Sequence, residues 1–254
     1  MKPYIGVTGF TKKEEVLAAL SVFPKNYDRA LMVGVCATWK SLRYMPIKPK
    51  WQKQMPSPMR ISDLFLGDDR VLNLVHYSTE DGQESSLLSD MTEIHNLAGW
   101  HFHGFQLNIA WPSIRTLAEY RSAVGYKYRI VLQVGQKAVE MAGETPQGVA
   151  DKLDKYAEFI DDILLDPSGG QGKPFDTECA REFLTEIRKR KYGIGLGAAG
   201  GLGPDTLNLV EPLIPDFPNL NIDTQRKLRN SENDLDTEAM KIYLTKAVKI
   251  FTRN

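Results

Sequence analysis

The chain has 254 residues, of which 42% are hydrophobic and 25% are charged, so it contains enough apolar material for a substantial buried core. Its 32 lysines and arginines are balanced by 32 aspartates and glutamates, and the formal net charge is zero. Because no overall positive field attracts polyanions, the composition argues against a general nucleic-acid-binding protein. A small anionic ligand is still compatible with it, since such a ligand needs only local donors.

The sequence shows no sign of a membrane protein or of a metal site. No apolar run approaches the ~20 residues that span a bilayer, and the opening MKPYIGVTGF becomes polar too early for a signal peptide. Cys36 and Cys179 are far apart, so we expect neither a disulfide nor a zinc site. His95, His101 and His103 lack acidic or cysteine partners at ligand spacing, which favours solvated loop histidines over a metal site. We therefore expect a cytoplasmic protein with no membrane partner and no cofactor.

Short apolar runs alternate with helical patterns along the chain. Eight runs lack polar alternation, as strands buried on both faces do. They are Tyr4–Val7, Ala30–Ala37, Val71–Tyr77, Phe105–Ile109, Ile130–Val134, Ile163–Asp166, Ile194–Ala198 and Leu220–Asp223. This rhythm predicts parallel strands joined by right-handed crossovers. Eight units in a chain of this length favour a single (β/α)8 TIM barrel over residues 1–254, with an open doubly wound sheet as the main alternative.

Helical patterns occupy several of the connections. Thr11 and Glu14 predict a capping box at the start of the first helix. Four later helices are predicted, at Ser113–Ser122, Pro146–Ile160, Thr177–Arg190 and Leu235–Phe251. The segment Met45–Asp69, rich in proline and lysine, fits this rhythm least well. Both a long loop and a lid over the barrel mouth remain open for it.

A glycine-rich loop follows the sixth predicted strand. That strand ends on Asp166, and the sequence DPSGGQGKPFD then places Gly169, Gly170 and Gly172 before the next helix. Glycines at a strand end allow backbone N–H groups to approach a ligand closely, and such groups favour an anion. Three glycines directly after a carboxylate favour a ligand-binding loop over a simple tight connection.

A second glycine-rich loop, in GLGAAGGLGPDTL, follows the seventh predicted strand. It contains Gly200 and Gly201, and Pro204 and Asp205 then predict the start of a helix. In barrels, the loops after the seventh and eighth strands commonly hold a phosphate group together with a helix N-terminus. The two loops together predict a site for a small phosphorylated ligand at the C-terminal end of the barrel.

These segments resemble the phosphoribosylanthranilate isomerase family of tryptophan biosynthesis. LLDPSGGQGKPFD and AAGGLGPDTL are similar to the family's LLD…GGSGKTFD and SGGLNPENV segments. WKSLRYM resembles its S-x-R-Y-I loop after strand two, FQLN resembles VQLH on strand four, and YIGVTGFTKKEEV is similar to its KICGIT…EDA opening. Pro46–Trp100 barely matches. The resemblance implies a barrel isomerase that performs an Amadori rearrangement, in which an aminoaldose phosphate opens and becomes an aminoketose.

The resemblance also implies roles for individual residues. Asp166 matches the general acid that protonates the ring oxygen, and Arg43 matches the arginine that pairs with the anthranilate carboxylate. Gly200 and Gly201 match phosphate-binding backbone. The family's catalytic cysteine, the base that removes the C2′ proton, falls at Thr8. A threonine hydroxyl is far too weak a base without an activating neighbour, so the usual general base is missing at this catalytic position.

Other substrate-binding positions also depart from the family pattern. The strand-four histidine becomes Asn108, and the lysine often found at the end of strand five becomes Gln133. Strand eight continues into DTQRKLR instead of a serine–glycine loop. We therefore expect Arg226, Lys227 or Arg229 to contact the phosphate by charge, and a solvated basic turn is the alternative.

Three functions remain open because the usual base is absent. We expect an isomerase that acts on a phosphorylated sugar derivative. The alternatives are a non-catalytic homologue that binds a phosphorylated ligand and a barrel lyase that uses the same phosphate site. Cys36 could supply a relocated base, but a buried cysteine is more often a small core residue. No oligomeric state follows from the sequence.

Overall fold

The computed structural model describes residues 1–166 and 175–252. In these residues eight parallel strands pair in sequence order, and the first strand also pairs with the eighth. The strands are β1 (Tyr4–Thr8), β2 (Ala30–Thr38), β3 (Val71–Ser78), β4 (Gly104–Leu107), β5 (Arg129–Gly135), β6 (Asp162–Asp166), β7 (Gly195–Ala198) and β8 (Asn221–Thr224). The protein is therefore a closed (β/α)8 barrel, as predicted, and the pairing of β1 with β8 excludes an open sheet.

Ten α-helical segments occupy the connections within the described residues. They are α1 (Lys13–Val22), α2 (Trp39–Leu42), α3 (Pro49–Gln52), α4 (Ile61–Leu64), α5 (Leu87–Ala98), α6 (Ile114–Val124), α7 (Gln136–Met141), α8 (Pro146–Leu153), α9 (Thr177–Lys189) and α10 (Thr237–Thr252). Of the predicted helices, α6, α9 and α10 lie close to their expected ranges, whereas α8 ends seven residues before Ile160. Helix α5 was not predicted. None of the described helices has the length and apolar content needed to cross a bilayer.

The capping arrangement at α1 differs from the prediction by one residue. The Glu15 carboxylate accepts hydrogen bonds from the backbone N–H groups of Thr11 and Lys12, at 2.8 and 3.0 Å. The N-cap is Lys12, so the acidic residue three positions later is Glu15. The predicted partner, Glu14, is exposed.

The strands are buried on both faces because successive side chains point to opposite sides of the sheet. One buried cluster lies between the strands and the surrounding helices. A second, separate cluster fills the inside of the barrel, and its members are Tyr4, Ala30, Met32, Leu74, Val131, Leu164 and Ala199. Double burial explains why the strand sequences lack polar alternation.

The N-terminal end of the barrel is closed by a buried ion pair. Arg129 donates to both carboxylate oxygens of Asp162, at 2.5 and 2.6 Å, and the Asn221 amide donates to the same carboxylate at 2.8 Å. Gly195 leaves room for it, since a Cβ there would lie 2.0 Å from Asp162 Oδ1. These groups satisfy one another, so they tie β5, β6 and β8 together at the end opposite the strand C-termini.

The connection between β7 and β8 contains no α-helix within residues 199–220, all of which are described. It forms two 3-10 turns instead, Leu207–Leu209 and Glu211–Leu213. The helix predicted to start at Pro204 and Asp205 is therefore wrong. A helix in this segment could in any case not continue past Pro212, because a proline lacks the backbone N–H that a continuing helix would require.

The segment between β2 and β3 crosses the end of β1 and reaches the chain beyond β8. We call residues 47–55, which include α3, the strap. Gln54 of the strap donates to Asn233 Oδ1 at 3.0 Å and accepts from Gln225 Nε2 at 2.7 Å. Lys53 pairs with Asp234 at 3.2 Å. Of the two interpretations left open for this segment, the contacts agree with a cover over part of the barrel mouth.

Candidate active site

Two adjoining cavities at the C-terminal end of the barrel share lining residues, and a third, of about 660 Å³, lies beside them against Ser78, Asn108 and Gln133. The main cavity has a volume of about 420 Å³, and the side cavity, under the strap, has a volume of about 260 Å³. Trp51, His76 and Gln225 line both of them. Six residues that the sequence analysis singled out line the main cavity together: Gln133, Asp166, Gly200, Gly201, Arg226 and Lys227. Asn108 lines the side cavity.

Asp223, on β8, lines the main cavity although it is only 4% exposed. Its Oδ2 accepts hydrogen bonds from the Thr8 hydroxyl at 2.8 Å and from the Gln106 amide at 3.1 Å. Its Oδ1 accepts from the Thr224 backbone N–H at 2.9 Å. Burial raises the pKa of Asp223 to about 7, against the lowering effect of these hydrogen bonds, and the charge of Asp166 adds to the rise. Such a carboxyl group can both accept and donate a proton near neutral pH.

The space for this carboxyl group comes from a glycine on the neighbouring strand. A Cβ on Gly6 would lie 2.7 Å from Asp223 Oδ1 and 2.6 Å from the Met32 side chain. Any larger residue at this position of β1 would displace the carboxyl group or the core beneath it.

Two glutamines connect Asp223 to Asp166. Besides its bond to Asp223, the Gln106 amide donates to Gln133 Oε1 at 3.2 Å. Gln133 in turn donates to Asp166 Oδ2 at 3.0 Å. The series runs across the ends of β8, β4, β5 and β6, and it fixes two carboxyl groups on one cavity. A general acid and a general base can therefore act on one ligand here.

Neither Thr8 nor Cys36 provides a base of its own. Thr8 is fully buried, and its hydroxyl donates to Asp223. Cys36 lines the side cavity, but burial raises the pKa of its thiol to about 12, so the thiol stays protonated at neutral pH. Thr8 thus lies beside the Asp223 carboxyl group, which can itself accept a proton near neutral pH.

Arg43 is not brought to either cavity. Its Nη2 pairs with Asp90 Oδ1 at 2.8 Å, and its Nη1 donates to the Trp39 carbonyl at 3.1 Å. Asp90 is 1% exposed and also accepts from the Tyr77 hydroxyl at 2.5 Å and the Ser86 hydroxyl at 2.7 Å. This buried carboxylate on α5 holds the guanidinium outside the barrel mouth.

The loop after β7 provides a tight backbone turn at the cavity wall. Gly200 and Gly201 adopt φ values of 97° and 71°, which glycine reaches without steric cost. The Thr206 hydroxyl donates to the Gly201 carbonyl at 2.7 Å and holds the turn in place. Three cations line the same cavity, namely Lys50, Arg226 and Lys227. A tight turn beside clustered cations suits an anionic group such as a phosphate.

Arg229 and the glycines after β6 were also predicted to contact the phosphate. Arg229 donates to the carbonyl oxygens of Thr8 and Gly9, at 2.9 Å each, and so binds the end of β1 instead of lining the cavity. The glycines of the loop after β6 (Gly169, Gly170 and Gly172) lie outside the described residues.

The three histidines considered for a metal site, His95, His101 and His103, line neither cavity. His95 Nδ1 is 2.9 Å from the Tyr120 hydroxyl, and His103 Nδ1 accepts from the Asn73 backbone N–H at 2.9 Å. Within residues 1–166 and 175–252, no group of three or more His, Cys, Asp or Glu side chains could hold a metal ion.

Sequence reasoning missed three polar residues of the site: Gln106, His76 and Asp223. Gln106 lies in the strand GFQL, His76 in VLNLVHYS and Asp223 in NIDT. In a barrel, a polar residue at an inward-facing position near the C-terminal end of a strand points into the cavity. A polar residue at such a position could have identified these site residues from the sequence.

No protein-family model and no curated protein matches the chain. Solved structures of similar fold include phosphoribosylanthranilate isomerase from Thermotoga maritima, with a TM-score of 0.61 and 18% identity, covering 97% of this chain and 100% of that one. A phosphoribosylanthranilate isomerase in complex with reduced 1-(o-carboxyphenylamino)-1-deoxyribulose 5-phosphate gives 0.59 and 16%, over 97% and 100%. Orotidine 5'-monophosphate decarboxylase from Methanocaldococcus jannaschii gives 0.59 and 10%, over 99% and 99%. At these identities the likeness is one of fold.

Proposed function

We propose that this protein is an isomerase that interconverts the aldose and ketose forms of a phosphorylated sugar derivative. The observation that carries the proposal is the pair of carboxyl groups, Asp166 and Asp223, on one cavity. Asp223 is poised for proton transfer because burial raises its pKa to about 7. The turn at Gly200 and Gly201 lies on the same cavity and offers a place for a phosphate.

The two carboxyl groups match the proton transfers that the reaction requires. In a ring-closed aminoaldose phosphate, Asp166 donates a proton to the ring oxygen as the bond between C1 and that oxygen breaks, which leaves an open-chain iminium ion. Asp223 then takes the proton from C2, which gives a 1-amino-1-en-2-ol. This intermediate becomes the aminoketose when C1 gains a proton and the C2 hydroxyl group loses one. Atoms and electrons balance within the substrate, so the reaction needs no oxidant, reductant or second substrate.

The remaining residues of the cavity suit the binding of such a ligand. The phosphate lies in this proposal against Gly200 and Gly201, with Arg226 supplying charge, while Asn108 and Gln133 contact sugar hydroxyl groups. Gly169, Gly170 and Gly172 follow Asp166 directly in the sequence and are proposed to add backbone N–H groups. Two proteins of similar fold support a phosphorylated ligand: one is in complex with a 5-phosphate, and the other is named for orotidine 5'-monophosphate.

The energetics of Asp223 favour an enzyme over a binding protein. A pKa raised from 3.8 to about 7 means that ionising this group in the folded state costs about 4 kcal/mol more than in water. Binding a phosphate does not require this group, whereas proton transfer does.

The test is an isomerisation assay with phosphorylated aldoses and aminoaldoses, including phosphoribosylanthranilate, in which the ketose product is measured. We expect turnover by the wild-type protein and a loss of ~10²–10⁴-fold in kcat for Asp223→Asn and for Asp166→Asn. Ligand affinity should change little in both variants because shape and hydrogen bonding are largely kept. Asp28→Asn, at an exposed position before β2, is the matched control. Ligand binding without any turnover by the wild-type protein would support the non-catalytic alternative instead.

A further inference from the structure

His76, near the C-terminal end of β3, lies where the main and side cavities meet. It is one of three residues that line both. In the sheet it is in register with Cys36 of β2 and Gln106 of β4. Leu74, two residues earlier, belongs to the cluster inside the barrel, so His76 points to the same inner face. The imidazole is therefore level with the residues that surround Asp223.

One nitrogen of this imidazole has no hydrogen-bond partner among residues 1–166 and 175–252. His76 Nδ1 is buried, and within the described residues it makes no hydrogen bond. Buried polar groups are almost always paired. The ring as a whole is half-buried and lines both cavities, so a ligand there lies against it. Burial lowers the pKa of His76 to about 4, so the ring is neutral at pH 7, with one nitrogen as a donor and the other as an acceptor.

Two other histidines, unlike His76, each have a hydrogen-bond partner for Nδ1. The ring nitrogens of His95 and His103 have partners in the Tyr120 hydroxyl and the Asn73 backbone N–H. Their positions are also explained by packing away from the cavities. His76 alone among these three combines a buried, unpartnered nitrogen with a place on a cavity wall.

We propose that His76 is a ligand-contacting catalytic residue, whose neutral ring hydrogen-bonds to the hydroxyl or carbonyl oxygen of the sugar next to the carbon from which Asp223 takes the proton. The inference rests on the proposed function, because it assigns His76 to the same ligand. A neutral imidazole can polarise a carbonyl oxygen without introducing a formal charge. His76 thus recognises the sugar, whereas the glycine turn and Arg226 recognise the phosphate.

The first test is nuclear magnetic resonance of the imidazole nitrogens in the full-length, ¹⁵N-labelled protein. The chain has four histidines, and the spectrum of His76→Asn assigns the His76 signals. Inorganic phosphate and ribose 5-phosphate serve as probes. We expect both to bind, and only ribose 5-phosphate to shift the ring nitrogens of His76. The signals of His95, His101 and His103 should stay in place.

The second test compares affinities. His76→Asn should weaken binding of ribose 5-phosphate by about tenfold, the upper range for one hydrogen bond, and leave the affinity for inorganic phosphate unchanged. His101→Asn, at an exposed position before β4, should leave both affinities unchanged. If ribose 5-phosphate binds without shifting the His76 signals, the inference is overturned while the phosphate site stands. If neither probe binds the wild-type protein, the proposed function fails, and this inference fails with it.

Discussion

Asp223 keeps a carboxyl group inside the barrel with three hydrogen-bond donors around it, from Thr8, Gln106 and the backbone of Thr224. These donors stabilise the ionised form, but the loss of water outweighs them and raises the pKa to about 7. The proton that occupies this group at low pH is therefore bound more tightly in the folded protein than in the unfolded chain. The stability of the fold must then depend on pH through this residue.

Replacing Asp223 with asparagine should stabilise the fold increasingly as the pH rises. An unfolded aspartate titrates near ~3.9, so between about pH 4 and pH 7 the folded protein holds a proton that the unfolded chain has lost. The stability that this proton provides is present below pH 4 and lost as the pH rises through 7. Relative to wild type, we expect Asp223→Asn to gain roughly 2–3 kcal/mol in unfolding free energy between pH 5 and pH 8.

Urea titrations of both proteins at pH 5 and pH 8 measure this difference. Asp28→Asn is the control, because its exposed carboxyl group should give no comparable trend. A difference between Asp223→Asn and wild type that does not vary with pH would contradict the burial argument.

Arg43 gives a second residue-scale prediction. Because it pairs with the buried Asp90 and lines neither cavity, Arg43→Ala should lower the unfolding free energy by about 1–3 kcal/mol, with the exposed part of its side chain reducing the effect. The affinity for ribose 5-phosphate should not change. Urea titration and calorimetry of binding measure the two quantities, and Arg115→Ala, which removes an exposed pair with Glu119, should alter neither. Weaker ligand binding by Arg43→Ala, with stability intact, would restore the role that the family resemblance implied.

At the scale of elements, the strands could be predicted because each is buried on both faces. All eight apolar runs overlap the observed strands, and only their ends differ, as at β4. The position of Asp166, Gly200 and Gly201 at the barrel mouth could be predicted because their signals are local. Asp223 was not, because its pKa depends on burial and on partners such as Thr8, which lies 215 positions away.

The strap could not be predicted for the same reason. Its position depends on contacts such as that of Gln54 with Asn233, 179 positions apart. Proline and lysine in a local window indicate only that the segment is not a strand. The helix predicted after β7 is the opposite error. Pro204 and Asp205 resemble a helix start, but the chain forms two 3-10 turns there, and Pro212 limits how far a helix could have run.

The strap yields a prediction of its own. Gln54→Ala removes the donor to Asn233 and the acceptor for Gln225, so both partners lose a hydrogen bond. We expect faster hydrogen exchange in residues 47–55 and weaker binding of ribose 5-phosphate, because Lys50 and Trp51 line the main cavity from the strap. Lys53→Ala, which removes exposed ion pairs with Glu232 and Asp234, should have little effect on either measurement. Unchanged exchange in the strap of Gln54→Ala would show that other contacts hold it.

At the scale of the whole molecule, the charge distribution matters more than the total charge. The formal net charge is zero, yet Lys50, Arg226 and Lys227 line one cavity. The field at the barrel mouth is thus local, which suits a small anion and not a polyanion.

The phosphate site can be tested with two glycines of similar backbone conformation. Gly201 has a φ of 71° and lies on the cavity, whereas Gly143 has a φ of 79° and would place a Cβ in open space. Alanine at either position should cost roughly 1–2 kcal/mol of stability, because both require the left-handed region. Only Gly201→Ala should weaken phosphate binding, measured by calorimetry. Equal phosphate affinity in the two variants would show that the phosphate does not contact this turn.

We propose above all that this barrel removes a proton from C2 of a sugar phosphate and that Asp223 accepts it. Proton nuclear magnetic resonance in D₂O tests this directly, because abstraction by a carboxylate allows exchange with solvent. With ribose 5-phosphate or phosphoribosylanthranilate, we expect the wild-type protein and Asp28→Asn to remove the C2 proton and to introduce deuterium at C1 of the ketose that forms. Asp223→Asn should be slower by ~10²–10⁴-fold. If the wild-type protein binds these compounds but leaves the C2 proton in place, or if Asp223→Asn exchanges it as fast as wild type, the claim is contradicted.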